Sequence, residues 1–132
     1  MDASVALKWV LQEDGREAAL ALIGSETLIA PDFIILEVAN TLAMKARRGL
    51  MTAAQAETFL DTMTNDMGLT LWPSRSHMRT AHNLANLLNR SAYDSLYLAL
   101  AWAENVRLIT ADRKFAEAVR PHPTFGPMVR LL

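Results

Sequence analysis

The sequence predicts an α/β fold in which a short parallel sheet is flanked by helices on both faces. Two observations carry this expectation. Short strand-like runs alternate with longer segments of helical periodicity, and the 132 residues suit one compact domain. No internal repeat, low-complexity tract or long linker divides the chain, so one domain over residues 1–132 is expected.

The elements follow in order. Ala3 to Leu11 reads as a short helix, and Arg16 to Ile23 as a second, ended by Gly24 just past its last turn. Thr27 to Ala30 is a short strand stopped by Pro31. Ile34 to Arg48 is a long helix with Lys45, Arg47 and Arg48 in its last turn and Gly49 behind them, which suits the helix dipole and the C-cap. Thr52 and Gln55 form a capping box that starts a helix running to about Asn65, with Gly68 closing the segment. Leu69 to Trp72 is a second strand before Pro73. Helices from Ser76 to Leu88 and from Ser91 to Glu104 come next, the latter with Ala92, Leu96, Ala99, Leu100 and Ala103 on one face. Leu108 to Thr110 is a compact strand, Arg113 to Val119 a helix and Val129 to Leu132 a final strand.

Composition narrows the function classes. The chain is 52% hydrophobic with a mean hydropathy of +0.12, above the usual soluble range, which leaves apolar surface for another chain as well as for the core. With no cysteine, disulfides and thiolate metal sites are excluded, so any metal must be held by oxygen or imidazole. No run approaches the roughly 18 apolar residues of a membrane span, and no signal peptide is visible, so a soluble cytoplasmic protein is expected. A net charge of -1 and a pI near 6.3 give no global attraction to nucleic acid. An RNA partner would be held by local basic residues or by metal.

Four acids stand out. Glu37 lies within the apolar helical run from Phe33 to Leu42 with no basic residue three or four positions away on either side. A carboxylate there needs a partner from elsewhere, because buried charge is costly unless paired or metal-bound. Asp112 follows the strand Leu108 to Thr110, Asp94 sits in the first turn of a helix, and Asp2 precedes the first helix. In an open α/β sheet the crevice lies outside the carboxyl ends of the strands, and all four acids map there. Carboxylates so gathered repel one another unless a cation shares the site. With oxygen ligands only, Mg²⁺ or Mn²⁺ is the natural candidate, and such a site can activate water and neutralise a phosphodiester.

Each acid also has a purely structural reading. Asp94 can close a capping box with Ser91, Asp112 can cap the helix that begins at Arg113, Asp2 can cap the first helix, and Glu37 can pair with Lys8 or a distant arginine. What sets the catalytic reading apart is the coincidence of four.

The segments Asp2 to Trp9, Ala30-Pro31-Asp32 leading to Leu36-Glu37-Val38-Ala39-Asn40, Tyr93 to Ala101, and Leu108 to Phe115 together resemble the PIN-domain family, in family order and spacing. They look most like its VapC-type toxins, and the resemblance covers essentially the whole chain. It implies a three-layer α/β/α fold and a Mg²⁺-dependent endoribonuclease, with Mn²⁺ as the alternative ion, that blocks translation by cutting transfer or ribosomal RNA. It also implies a homodimer, neutralisation by a VapB-type antitoxin, and contact with operator DNA only through that antitoxin. By position, Asp2, Glu37, Asp94 and Asp112 match the family's acidic quartet. Asp2 and Asp94 would be the most direct metal ligands, with Glu37 and Asp112 completing the shell partly through water. Ser4 and Thr110 match hydroxyl residues that flank the family's site. In one respect the chain departs from the pattern: the family's first acid ends a short apolar strand, and here only Met1 precedes Asp2. Either the start is placed too late or the strand is trimmed. A missing central strand would leave Asp2 poorly anchored.

Arg90, Arg113 and Lys114 neighbour Asp94 and Asp112 and are candidates for holding RNA phosphates on the pocket rim, against a reading as solvated surface charge. Leu42, Met44, Leu50 and Met51 are candidates for an antitoxin groove or for ordinary packing. Trp9, Trp72 and Trp102 are expected in core or dimer contacts. His77, His82 and His122 have no metal-ligand spacing with the acids. The alternative of a non-catalytic RNA- or protein-binding module of the same fold gives no reason for four mutually repelling acids. A phosphoacceptor domain would want a lysine after its last strand, and an Asp-x-Asp phosphatase fails at Asp2-Ala3-Ser4.

Overall fold

Residues 1–65 and 68–132 are described by a computed structural model of the chain. The elements are α1 (Ala3–Val10), α2 (Arg16–Leu20), β1 (Leu28–Pro31), α3 (Phe33–Arg47), α4 (Ala53–Asn65), β2 (Leu69–Trp72), α5 (Met78–Leu88), α6 (Ala92–Ala103), β3 (Leu108–Thr110), α7 (Arg113–Val119) and β4 (Val129–Leu131). Parallel strands lie between helical layers, a three-layer α/β/α arrangement. Boundaries shift by one to three residues from expectation where turns tighten: α2 ends at Leu20 in successive turns, and Ser74–His77 forms a 3₁₀ turn before α5.

Among the described residues the strands form two parallel pairs, β1 with β2 and β3 with β4. Residues 1 and 2 lie between the pairs. The Asp32 N–H donates to the Trp72 carbonyl at 2.8 Å, so the even positions of β1 face β2; the Leu132 N–H donates to the Thr110 carbonyl at 2.8 Å, so the even positions of β3 face β4. The odd carbonyls therefore face the gap. There the Ile29 carbonyl accepts from the Met1 ammonium at 2.8 Å, and the Ile109 carbonyl accepts from the Asp2 N–H at 3.2 Å. Two residues are too few to count as a strand, yet they bridge the half-sheets and fix Asp2. The expectation of a poorly anchored Asp2 is thereby corrected.

The core explains why α6 holds the centre. Every residue from Ser95 to Ala101 is buried, so this helix is apolar on all sides and packs on both β1 and β3 as well as on α5. Ile34, Val38 and Leu42 line the buried stripe of α3, and Val5, Ala6 and Trp9 that of α1. Trp9 is a core residue whose indole N–H donates to the Ala19 carbonyl at 2.9 Å. Trp102, by contrast, is 48% exposed and meets Phe125 edge-on. No helix among the described residues is long and apolar enough to cross a membrane.

The α4 capping box forms in both directions: the Gln55 N–H donates to Thr52 Oγ1 at 3.1 Å and the Thr52 N–H to Gln55 Oε1 at 2.8 Å. Thr52→Ala is therefore expected to lower unfolding free energy by about 1 kcal/mol, read by urea denaturation. No loss of stability would mean that α4 starts without this cap.

Candidate active site

Asp2, Asp94 and Asp112 lie at helix starts, and Glu37 lies in the second turn of α3. Asp2 caps α1, accepting from the Val5 N–H at 3.3 Å. Its carboxylate also accepts from Ser4 Oγ at 2.6 Å, and Ser4 Oγ in turn accepts from the Ala111 N–H at 2.8 Å. This ties the start of the chain to the loop after β3. Thr110, fully buried, accepts from the Asp112 N–H at 2.9 Å, and its hydroxyl helps to counter the upward shift that burial gives the Asp2 carboxyl. Ser4 and Thr110 thus hold the Asp2 carboxylate in place.

Glu37 lies in the second turn of α3, half-buried, and no lysine or arginine reaches it. Lys8 is directed instead to the Asp14 carbonyl, and among the described residues the ion pairs are Lys45–Glu13 and Arg130–Glu26. The structural pairing of Glu37 with a cation is therefore not what forms. Its partner is Tyr97, whose hydroxyl donates to Glu37 Oε2 at 2.7 Å. Sequence reasoning assigned Tyr97 no role. The available signal was its position three residues after Asp94, on the same face of α6.

Electrostatics show which acids are close. Burial pushes the Glu37 carboxyl above its ordinary range; the Tyr97 hydrogen bond opposes this, and the nearby Asp2 and Asp94 charges add to it. Burial raises the Asp2 carboxyl as well, against hydrogen bonds from Ser4 and Thr110 and the Met1 ammonium. The Met1 amine is itself lowered to about 6, mainly by burial. Tyr97 is shifted upward by burial and by the Glu37 and Asp2 charges, so it stays protonated and donates. The Asp2 and Asp94 charges thus both act on Glu37, and the Met1 ammonium is the positive charge that acts on Asp2.

Asp94 and Asp112 also serve as caps. The Asp94 N–H donates to Ser91 Oγ at 3.0 Å, and Ser91 Oγ donates back to Asp94 Oδ2 at 2.6 Å. Asn89, with φ of 51°, ends α5 and turns the chain sharply into that box. Asp112 Oδ1 accepts from the Phe115 N–H at 3.0 Å. No three histidine, aspartate or glutamate side chains among the described residues converge closely enough to chelate an ion. The physical reason is mutual repulsion: each aspartate turns to the nearest neutral donor. The donor set, all hard oxygen with no lysine or arginine paired to it among the described residues, nonetheless fits a divalent cation such as Mg²⁺.

Arg90, Arg113 and Lys114 are exposed near these caps. On another face, Val10, Leu11, Lys45, Leu50, Met51 and Phe59 line a groove of about 850 Å³, whereas Leu42, grouped with it in sequence, is fully buried in the core.

The site thus sits on a three-layer α/β/α domain with acids at its helix starts, and comparison with known proteins narrows the class. The PIN domain profile matches residues 1–121. A VapC ribonuclease of Mycobacterium bovis and Ribonuclease VapC9 of Mycobacterium tuberculosis are each 34% identical over 117 residues, covering 89% of this chain and 87% of theirs. Ribonuclease VapC3 of Pyrobaculum aerophilum is 32% identical over 119 residues, 89% of this chain and 91% of its own. The chain belongs to the PIN-domain family and groups with the VapC ribonucleases.

Proposed function

We propose that the protein is a metal-dependent endoribonuclease of the VapC type, the toxin of a toxin–antitoxin pair acting in the cytoplasm. The observation that carries this reading is that Glu37 and Asp94 line one cleft, that the Asp2 charge acts on Glu37, and that among the described residues none of the three meets a lysine or arginine. These three and Asp112 would hold Mg²⁺ or Mn²⁺. When bound, the ion polarises a phosphodiester and lowers the pKa of a water. The chain's own residues do the rest: Ser4 and Thr110 orient Asp2, Tyr97 orients Glu37, and Arg90, Arg113 and Lys114 offer charge to RNA phosphates on the rim. The similarity to VapC ribonucleases supports RNA as substrate and a VapB-type antitoxin as partner, and transfer or ribosomal RNA is the target of this reading. The groove at Leu50 and Met51, with Leu50 67% exposed and Gln12, Gln55 and Thr58 among its polar lining, suits an amphipathic protein segment such as one from that antitoxin. A homodimer, and contact with operator DNA only through the antitoxin, complete the proposal.

Purified protein incubated with total or transfer RNA is expected to cleave in Mg²⁺ and to lose all detectable cleavage in EDTA, with recovery on adding Mg²⁺ or Mn²⁺ back. Undiminished cutting in EDTA would remove the metal from the proposal. No cutting in either ion, for any RNA tested, would favour a non-catalytic binding module.

A further inference from the structure

Helix α3 carries a second stripe besides its buried one. Phe33, Leu36, Glu37 and Asn40 recur at helical spacing and face the start of α6, where Tyr93 and Asp94 lie. This is spacing that ordinarily buries apolar side chains. Here Leu36 is 65% exposed and Tyr93 63% exposed, so the stripe is left open to water. Phe33 and Tyr93 stack with ring centroids 5.3 Å apart and planes within 4°. The Phe33 N–H donates to Ser74 Oγ at 3.0 Å, which anchors the backbone that carries this ring at its helix start. Between the helices is a cleft of about 510 Å³ that continues to Glu37 and Asp94. The Asn40 amide at its edge makes no side-chain hydrogen bond among the described residues.

We propose that this cleft is a nucleobase subsite: an unpaired base next to the scissile phosphodiester stacks on Tyr93, backed by Phe33 and Leu36, with the Asn40 amide reading its edge. The inference rests on the nuclease reading and deepens it. The physical need for such a subsite is clear from charge. In a chain of net charge -1 the acidic carboxylates themselves do not attract RNA phosphates, so contacts that carry no charge add affinity beside the rim charges of Arg90, Arg113 and Lys114. Stacking on an aromatic ring supplies that, because every base has a π-face. A coplanar pair already in place loses little freedom when a base joins it.

The test uses a short single-stranded RNA containing a mapped cleavage site. Tyr93→Ala is expected to raise KM by about 5- to 150-fold, the range that base–aromatic stacking spans, with kcat changed far less. Tyr93→Phe keeps the ring and is expected to restore the parent KM. An abasic nucleotide is then placed on each side of the cleaved bond in turn. At one of the two positions it should cost the parent the same factor and cost Tyr93→Ala nothing further, the signature of one shared contact. Equal abasic penalties in parent and Tyr93→Ala, or a parent-like KM in Tyr93→Ala, would overturn the subsite. Fluorescence anisotropy with the same oligonucleotides in Ca²⁺ reads the stacking without requiring turnover. Protein that binds with this dependence on Tyr93 and on the base but cuts nothing retains the subsite and loses the nuclease reading. Protein that cuts with no such dependence does the reverse.

Discussion

Asp94→Asn is expected to lower RNA cleavage by about 10²- to 10³-fold or more, while the protein melts no lower than its parent in EDTA. The loss follows from the proposed role: an amide oxygen carries no charge to hold a divalent ion or balance the charge that develops on a phosphodiester. Retention of stability follows from geometry. The N–H of residue 94 still donates to Ser91 Oγ, and the asparagine carbonyl can accept the Ser91 hydroxyl as the carboxylate does, so the start of α6 remains capped. Removing the charge also relieves Glu37, whose carboxyl the Asp94 charge helps to hold above its ordinary range. Initial rates on transfer RNA, with calorimetry in EDTA, measure both halves. Parent-level cleavage would remove Asp94 from the site, and a fall of many degrees in melting temperature would leave Asp94 a helix cap and nothing else.

Magnesium is expected to raise the melting temperature by several degrees, and to reverse its dependence on acid. A ligand at about 100 times its Kd adds about 2.7 kcal/mol to unfolding free energy, worth several degrees for a chain of this size. Without metal, the carboxyls of Asp2 and Glu37 have folded-state values above their ordinary 3.8 and 4.5, so over that window the folded state binds more protons than the unfolded one. Their contribution is then most favourable on the acid side of the window, and is lost as pH rises through the folded values. The Met1 amine has the opposite sign. Its value falls from 8.0 to about 6, so between those limits the unfolded state binds more protons and stability rises with pH. Between about pH 6 and about 4.5 the two carboxyls dominate these shifts. There the melting temperature in EDTA should rise on acidification, and Glu37→Gln should flatten the rise. With Mg²⁺ present it should fall, because protons compete with the metal. Scanning calorimetry across that range decides the matter; the same slope with and without Mg²⁺ would mean that no ion binds these carboxylates.

Much of the site was legible because its parts are local. Ser91 with Asp94, Thr52 with Gln55, and Asp112 before α7 are pairs within one helical turn, and each forms the hydrogen bonds its spacing implies. The isolation of Glu37 from basic neighbours on α3 was likewise a fact about spacing, and the structure agrees that no cation reaches it. Tyr97 was missed because its carboxylate partner is 60 positions away and nothing in an apolar helix marks one tyrosine hydroxyl as turned toward an acid. The Phe33–Tyr93 stack was missed for the same reason, since each ring, taken in its own helix, looks like ordinary packing.

The sequence by itself determined the alternation of strands and helices, the helix caps, the absence of thiolate chemistry and the placement of Asp2, Asp94 and Asp112 at helix starts, because each depends on periodicity or on groups within four residues of one another. Only the tertiary structure decided that Met1 and Asp2 bridge two half-sheets, that Ser4 joins the chain start to Ala111, that Tyr97 bonds Glu37, and that Glu37 and Asp94 line one cleft. Those relations are set by how buried faces pack across the whole chain, where hydrogen-bond direction and desolvation act between segments that linear spacing does not connect.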